Sequence, residues 1–188
     1  RRDVLVVGGG LAGLACAALL ARGGRTVTVL EGGSAPGGLG RTRVQGGFCF
    51  NRGAHALYRG GAAQVVLESL GIALKGQSPA IRGIAYHRGV PHRLPTTTWS
   101  VLSTSLLSLR GRLAIARAFA GLGSLRGGEE SAAAWVEANA GDDSARAFLA
   151  AMLRLSTYCG DLDSIGADAA VAALRQASMH GVLYLDGG

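Results

Sequence analysis

Residues 4–33 read VLVVGGGLAGLACAALLARGGRTVTVLEGG, and the fold class rests on this stretch. Val4-Leu5-Val6-Val7 is an apolar, β-branched run of the kind that makes a parallel strand buried on both faces. Gly8-Gly9-Gly10-Leu11-Ala12-Gly13 comes next and fits G-x-G-x-x-G. In that pattern Gly8 permits the tight turn, Gly10 lets the backbone approach a pyrophosphate, and Gly13 lets helix and strand pack closely. Leu14 to Arg22 reads as a helix with small side chains at Ala15, Cys16, Ala17 and Ala18, stopped by Gly23-Gly24. Its N-terminus, entered through Leu11 and Ala12, points free N–H groups and a positive dipole at the phosphates. Thr26 to Leu30 is a second strand, and Glu31 ends it 18 residues after Gly13. An acid there accepts hydrogen bonds from a ribose 2′-OH. It also repels a 2′-phosphate, which argues against NADP. Three glycines in a chain holding 31 are a weak signal alone. Strand, glycines, helix, strand and acid in that order make a dinucleotide cradle.

Composition narrows the class without naming a ligand. A chain of 188 residues with a 48% hydrophobic share can bury a core in one domain or two small ones. Its apolar runs are all broken short of a membrane span by Gly, Arg or Ser. Cys16, Cys49 and Cys159 are widely spaced, which excludes a Cys-x-x-Cys metal or redox pair and fits a reducing compartment. The opening Arg1-Arg2-Asp3 makes a poor twin-arginine signal, so the expected location is cytoplasmic. The formal charge of +7 is carried by arginine, Lys75 being the single lysine. The arginines are scattered and few aromatics lie among them, so no nucleic-acid partner is expected.

The residues after Glu31 bear on the choice between NAD and FAD. An NAD-binding unit would pass directly into another helix and strand. Here a Gly- and Ser-rich loop comes instead, then Gly37-Gly38-x-x-Arg41-Thr42, a short strand at Gly47-Phe48-Cys49-Phe50, and Asn51-Arg52-Gly53-Ala54-His55. Residues 3–58 resemble the N-terminus of the FAD-dependent amine oxidase, phytoene desaturase and protoporphyrinogen oxidase superfamily. The spacing Gly-Gly-Leu-Gly-Arg-Thr resembles the protoporphyrinogen oxidase-like branch more than the amine oxidases. Asn51 departs from the pattern, which usually has Asp there. The resemblance implies FAD as cofactor. Gly8, Gly10, Leu11, Ala12 and Gly13 would then face the pyrophosphate and Glu31 the adenosine ribose. Gly37, Gly38, Arg41 and Thr42 would run beside the pyrophosphate and the flavin. Arg41 suits a diphosphate on physical grounds, being planar, always charged and able to bond bidentately. His55 is open between approaching the flavin or substrate cavity and closing a turn.

Beyond Tyr58 the signals are coarser. Ala62 to Leu70 reads as a short helix ended by Gly71, and residues 80–87 and 90–94 as a hairpin turning at Arg88-Gly89. His87 and His92 flank that turn without a nearby carboxylate or cysteine, which makes them exposed polar residues rather than metal ligands. From Ser100 the spacing of Leu102, Leu106, Leu109 and Leu113 predicts one apolar helical stripe with Arg110, Arg112 and Arg117 at its flanks. Such a helix faces a core, or alternatively rests on an anionic membrane surface. Helices are also predicted over 129–140, 143–157 and 167–178, and a strand from Gly181 to Leu185 leading to Gly187-Gly188.

The expected fold class is therefore α/β. A Rossmann-like FAD-binding βαβ unit (1–75) carries an inserted, mainly helical α+β substrate or cap region (76–180). Residues 181–188 begin the return to the FAD-binding domain. A buried parallel strand needs cover on both faces, which one βαβ unit does not supply, so the chain reads as the N-terminal portion of a longer, incomplete fold. The expected activity is an FAD-dependent oxidoreductase taking hydride from a C–H bond of a small, lipophilic substrate, with peripheral membrane contact. Two alternatives stay open: an NAD-binding protein, and a nucleotide-binding domain inactive on its own. The sequence offers no catalytic acid–base pair, no metal site and no oligomeric state.

Overall fold

The computed structural model describes residues 3–79 and 83–186. Ala80 to Arg82, which began the predicted hairpin, and Gly187-Gly188 lie outside them. In chain order the first elements are β1 (Val4–Val7), α1 (Leu11–Arg22), β2 (Val27–Leu30), β3 (Thr42–Gln45) and β4 (Phe48–Asn51). Next come β5 (Ala56–Tyr58), α2 (Ala62–Ser69), β6 (Gly76–Gln77), β7 (Ile84–His87) and β8 (Val90–Arg93). The remainder is α3 (Thr98–Ser103), α4 (Leu109–Ala120), α5 (Ala132–Ala140), α6 (Asp143–Thr157), α7 (Ala167–His180) and β9 (Val182–Leu185). The chain forms two compact units: Arg1–Pro79 together with Gly181–Gly188, and Ala80–His180. The first boundary lies at Pro79 instead of residue 75, because β6 pairs with β9.

In the first unit β1 and β2 pair in parallel, Val4 opposite Val27 through Val7 opposite Leu30, with α1 as the crossover. The helix begins at Leu11, three residues before the predicted Leu14. Gly10 is its N-cap in an extended conformation, so the glycine turn itself ends in the first helical residue. A hairpin of β3 and β4 comes after it, turning through Gly46 (φ 59°) and Gly47 (φ 81°). Its β3 arm escaped the sequence reading because Arg and Gln at alternate positions blur an apolar alternation. The late strand β9 lies between β5 and β6, antiparallel to both. Segments far apart in sequence thus share one small sheet.

The second unit is built around helices. Ile115, Leu153, Val101 and Val171 are fully buried. They belong to one cluster that includes Trp135, Phe148, Leu149 and Leu174. The predicted stripe from Leu102 to Leu113 is not one helix. The chain leaves α3 at Thr104, and Ser108 starts α4 by accepting from the Gly111 N–H at 3.0 Å. Hydroxyl side chains compete for backbone partners, so a Ser/Thr-rich stretch breaks a helix that leucine spacing alone would continue. Ile115 and Ala116 turn to the core in place of Leu109 and Leu113, which stay exposed. Asp142 caps α6 through the Ala145 N–H at 2.9 Å, and also accepts from the hydroxyls of Ser108 and Ser144. Those donors, Ser108 first, hold its carboxyl down at about 2.

Candidate dinucleotide site

The site is a construction of backbone around the glycine turn. Gly8 has φ 99°, a conformation open to glycine at no steric cost. At Gly13 a Cβ would overlap the Gly8 carbonyl oxygen, so only glycine lets α1 begin this close to β1. Gly10 has open space where a Cβ would sit. The first N–H groups of α1, from Leu11, Ala12 and Gly13, have no intrahelical acceptor, and Gly10 offers no side chain to cap them. No acidic residue lies in that first turn either. An anion placed there would meet N–H donors and the positive helix end together.

Glu31 anchors the turn from the other strand. Its Oε2 accepts from the Gly9 N–H at 2.7 Å and its Oε1 from the Gly33 N–H at 2.7 Å. The Gly33 and Gly9 N–H groups hold its carboxyl below the usual range, so it is ionised at neutral pH. A carboxylate has about four acceptor positions, so two bonds leave capacity for a ligand hydroxyl. Gly9 escaped the sequence reading, although it is the buried glycine of the three. A Cβ on Gly9 would lie 2.8 Å from Glu31 Oε2. The signal for it was the third consecutive glycine, one more than the G-x-G pattern uses.

The second glycine pair closes onto the first. The Gly37 N–H donates to the Gly9 carbonyl at 2.6 Å, and Gly10 and Gly37 form a parallel bridge. Gly37 (φ 116°) and Gly38 (φ 55°) both need the left-handed region, and a Cβ on Gly38 would lie 3.2 Å from the Gly10 Cα. Arg41 comes next, its guanidinium reaching the Ala35 carbonyl at 3.5 Å. Gly8, Gly10, Leu11, Ala12, Gly13, Glu31, Gly37 and Gly38 thus converge on one turn, with Arg41 beside it.

Thr42 has a different task in the structure. Its hydroxyl donates to Asn51 Oδ1 at 2.8 Å, pinning the first pair of the β3–β4 ladder. An amide oxygen accepts this bond as a carboxylate would, which is why Asn51 serves there without a charge. His55 is half-buried ahead of β5, and its Nε2 is buried with no hydrogen-bond partner. Native structures seldom leave such an atom unpaired.

Comparison with known proteins finds this construction elsewhere. The family model for an NAD(P)-binding Rossmann-like domain matches residues 6–70. That stretch holds the glycine turn, Glu31 and the second glycine pair. Protoporphyrinogen oxidase 2 of Arabidopsis thaliana is 34% identical over 117 residues, covering 61% of this chain and 23% of that protein. An oxidoreductase from Methanosarcina mazei superposes with a TM-score of 0.67 at 21% identity, over 96% of this chain and 44% of its own. Putrescine oxidase bound to putrescine superposes with a TM-score of 0.62 at 22% identity, over 100% of this chain and 46% of its own. The chain is thus similar in sequence to a protoporphyrinogen oxidase and shares its fold with solved structures that include putrescine oxidase. The chain spans about a quarter of the curated relative (23%) and under half of the two solved structures (44% and 46%).

Proposed function

We propose that the Rossmann-like domain holds FAD and serves an oxidoreductase that removes hydride from a C–H bond of a small, lipophilic substrate. The observation that carries the reading is the closure of the second glycine pair onto the first, Gly37 N–H on the Gly9 carbonyl. An NAD-binding unit leaves its second strand for another helix, whereas here the chain returns to the phosphate turn. When bound, the flavin supplies the hydride acceptor. The chain's own residues bind and orient. Leu11, Ala12 and Gly13 offer N–H groups to a diphosphate, Glu31 accepts from a ribose hydroxyl, and Arg41 adds a charge next to the phosphates. His55 presents an unpaired ring nitrogen.

Two measurements test this. The purified chain mixed with FAD should retain a flavin absorption spectrum through gel filtration, and FAD should raise its melting temperature. NADH raising the melting temperature while FAD does not would replace the reading with a nicotinamide site. No effect from either would leave a nucleotide-binding fold inactive on its own.

A further inference from the structure

The stretch from Thr96 to Ser108, between the β7–β8 hairpin and α4, is rich in hydroxyls, and several of them serve the backbone. Ser100 Oγ donates to the Thr97 carbonyl at 2.8 Å, Ser103 Oγ donates to the Trp99 carbonyl at 3.1 Å, and Thr104 Oγ1 accepts from the Leu106 N–H at 3.1 Å. Ser105 differs. Its Oγ lies 3.0 Å from Nδ1 of His92, 13 residues earlier in the chain. His92, expected from sequence to be an exposed hairpin residue, is half-buried. In the β7–β8 ladder it stands opposite Ala85, which packs against the helical core, so the ladder holds its ring on the inner face of the hairpin. In the tautomer that carries its proton on Nε2, Nδ1 accepts from the Ser105 hydroxyl. Ser105 itself is exposed and lines an open cleft of about 790 Å³ within the helical unit. Ser108 and Asp142, the N-caps of α4 and α6, border the same cleft, so the positive ends of helices of 12 and 15 residues meet there. The carboxylates in the lining are already matched. Asp142 accepts from the Ala145 N–H and from the Ser108 and Ser144 hydroxyls, and Asp143 pairs with Arg146 at 2.5 Å.

We propose that Ser105 is a nucleophile, with His92 as its general base, for acyl transfer from a small ester. Its Oγ bonds the ester carbonyl carbon while the hydroxyl proton passes to His92 Nδ1. The bond to the leaving oxygen then breaks as that proton moves on to it. Water, giving a proton to the same nitrogen, hydrolyses the acyl-serine and restores the hydroxyl. The helix starts at Ser108 and Asp142 supply positive potential for the oxyanion. The proposal goes beyond the cofactor reading and uses none of its residues.

The folded full chain is treated with an alkyl fluorophosphonate, which a serine nucleophile takes up with loss of fluoride, and the adduct is located by mass spectrometry. One adduct at Ser105 is expected, and none in the urea-unfolded chain. p-Nitrophenyl acetate should be hydrolysed about 100-fold or more faster than by the Ser105→Ala variant. His92→Asn sets an amide oxygen near the place of Nδ1, which keeps an acceptor for the hydroxyl but takes no proton. It should retain the melting temperature and lose about 100-fold in rate. No adduct, adducts scattered over other serines, or wild-type turnover in either variant would overturn the proposal. Labelling of the unsubstituted chain decides the matter even where a variant unfolds. Neither FAD nor NADH enters these assays, so their failure leaves the cofactor reading untouched.

Discussion

The two units of this chain solve the problem of stability differently. The helical unit, Ala80–His180, closes a continuous apolar core in which Leu153, Ile115, Val101 and Val171 are fully buried. Among the described residues, the nucleotide-binding unit buries only Ala17, Leu67 and Leu183 as apolar side chains, while Val7 stays 81% and Leu5 57% exposed. Parallel strands want cover on both faces, and a two-stranded sheet with one helix supplies it on one. Within these residues the two units therefore differ in what holds them together. The helical unit is held by side-chain packing, and the cradle by backbone hydrogen bonds and by glycines that admit close approach.

Substitutions put that contrast at risk, and the largest effect belongs to packing. Leu153→Ala should destabilise the helical unit by about 2–5 kcal/mol, read as a lowered urea midpoint with helical circular dichroism as the signal. Dinucleotide binding at low urea should survive it; if binding collapses in parallel, the two units are not separate sources of order. Gly13→Ala is the converse. Its Cβ meets the Gly8 carbonyl, so the turn must open and dinucleotide affinity should fall by more than about tenfold, with the urea midpoint of the helical signal unmoved. A parallel loss of the helical midpoint would refute the assignment of that glycine to the cradle.

Smaller effects probe single polar groups. Asp142→Ala removes the cap of α6 and should cost about 0.5–2 kcal/mol. The native carboxyl titrates near 2 against an ordinary 3.8. The stability it contributes is thus full above 3.8 and is lost as pH falls through about 2. Acid titrations of the parent and the variant should accordingly converge at the lowest pH. Identical acid curves throughout would mean the cap carries no stability. Glu31→Gln acts on the turn and on the ligand together, because an amide keeps one acceptor for the Gly9 or Gly33 N–H and turns an NH2 donor towards the other. Dinucleotide affinity should fall by several-fold, about one hydrogen bond's worth, and the melting temperature of the ligand-free chain should fall modestly. An unchanged dinucleotide affinity would make Glu31 a structural clamp alone.

Most of the cradle was legible in the sequence because its requirements are steric and local. Gly8 needs a positive φ, Gly13 a missing Cβ and Glu31 a fixed distance from the turn, and each leaves a mark at a set spacing. The parallel pairing of β1 with β2 was readable from the same run. The helix ends at Gly141 and Thr157 were readable from caps and apolar spacing for that reason too. The misses share a cause. Leucine periodicity joined α3 to α4, because spacing records apolar positions and is blind to a hydroxyl that takes over a backbone bond. The strand β3 was hidden because Arg43 and Gln45 answer to solvent, not to a core.

The β1–α1–β2 unit, the glycine turn and its acid were thus settled at the level of sequence, since those residues interact with neighbours close along the chain or at a spacing the helix sets. Three arrangements were settled by the folded chain instead: the closure of Gly37 onto Gly9, the placing of β9 between β5 and β6, and the presentation of His92 to Ser105 by the β7–β8 ladder. Each of these brings together segments through backbone pairing, and pairing between strands depends on register, which the composition of either strand alone does not carry.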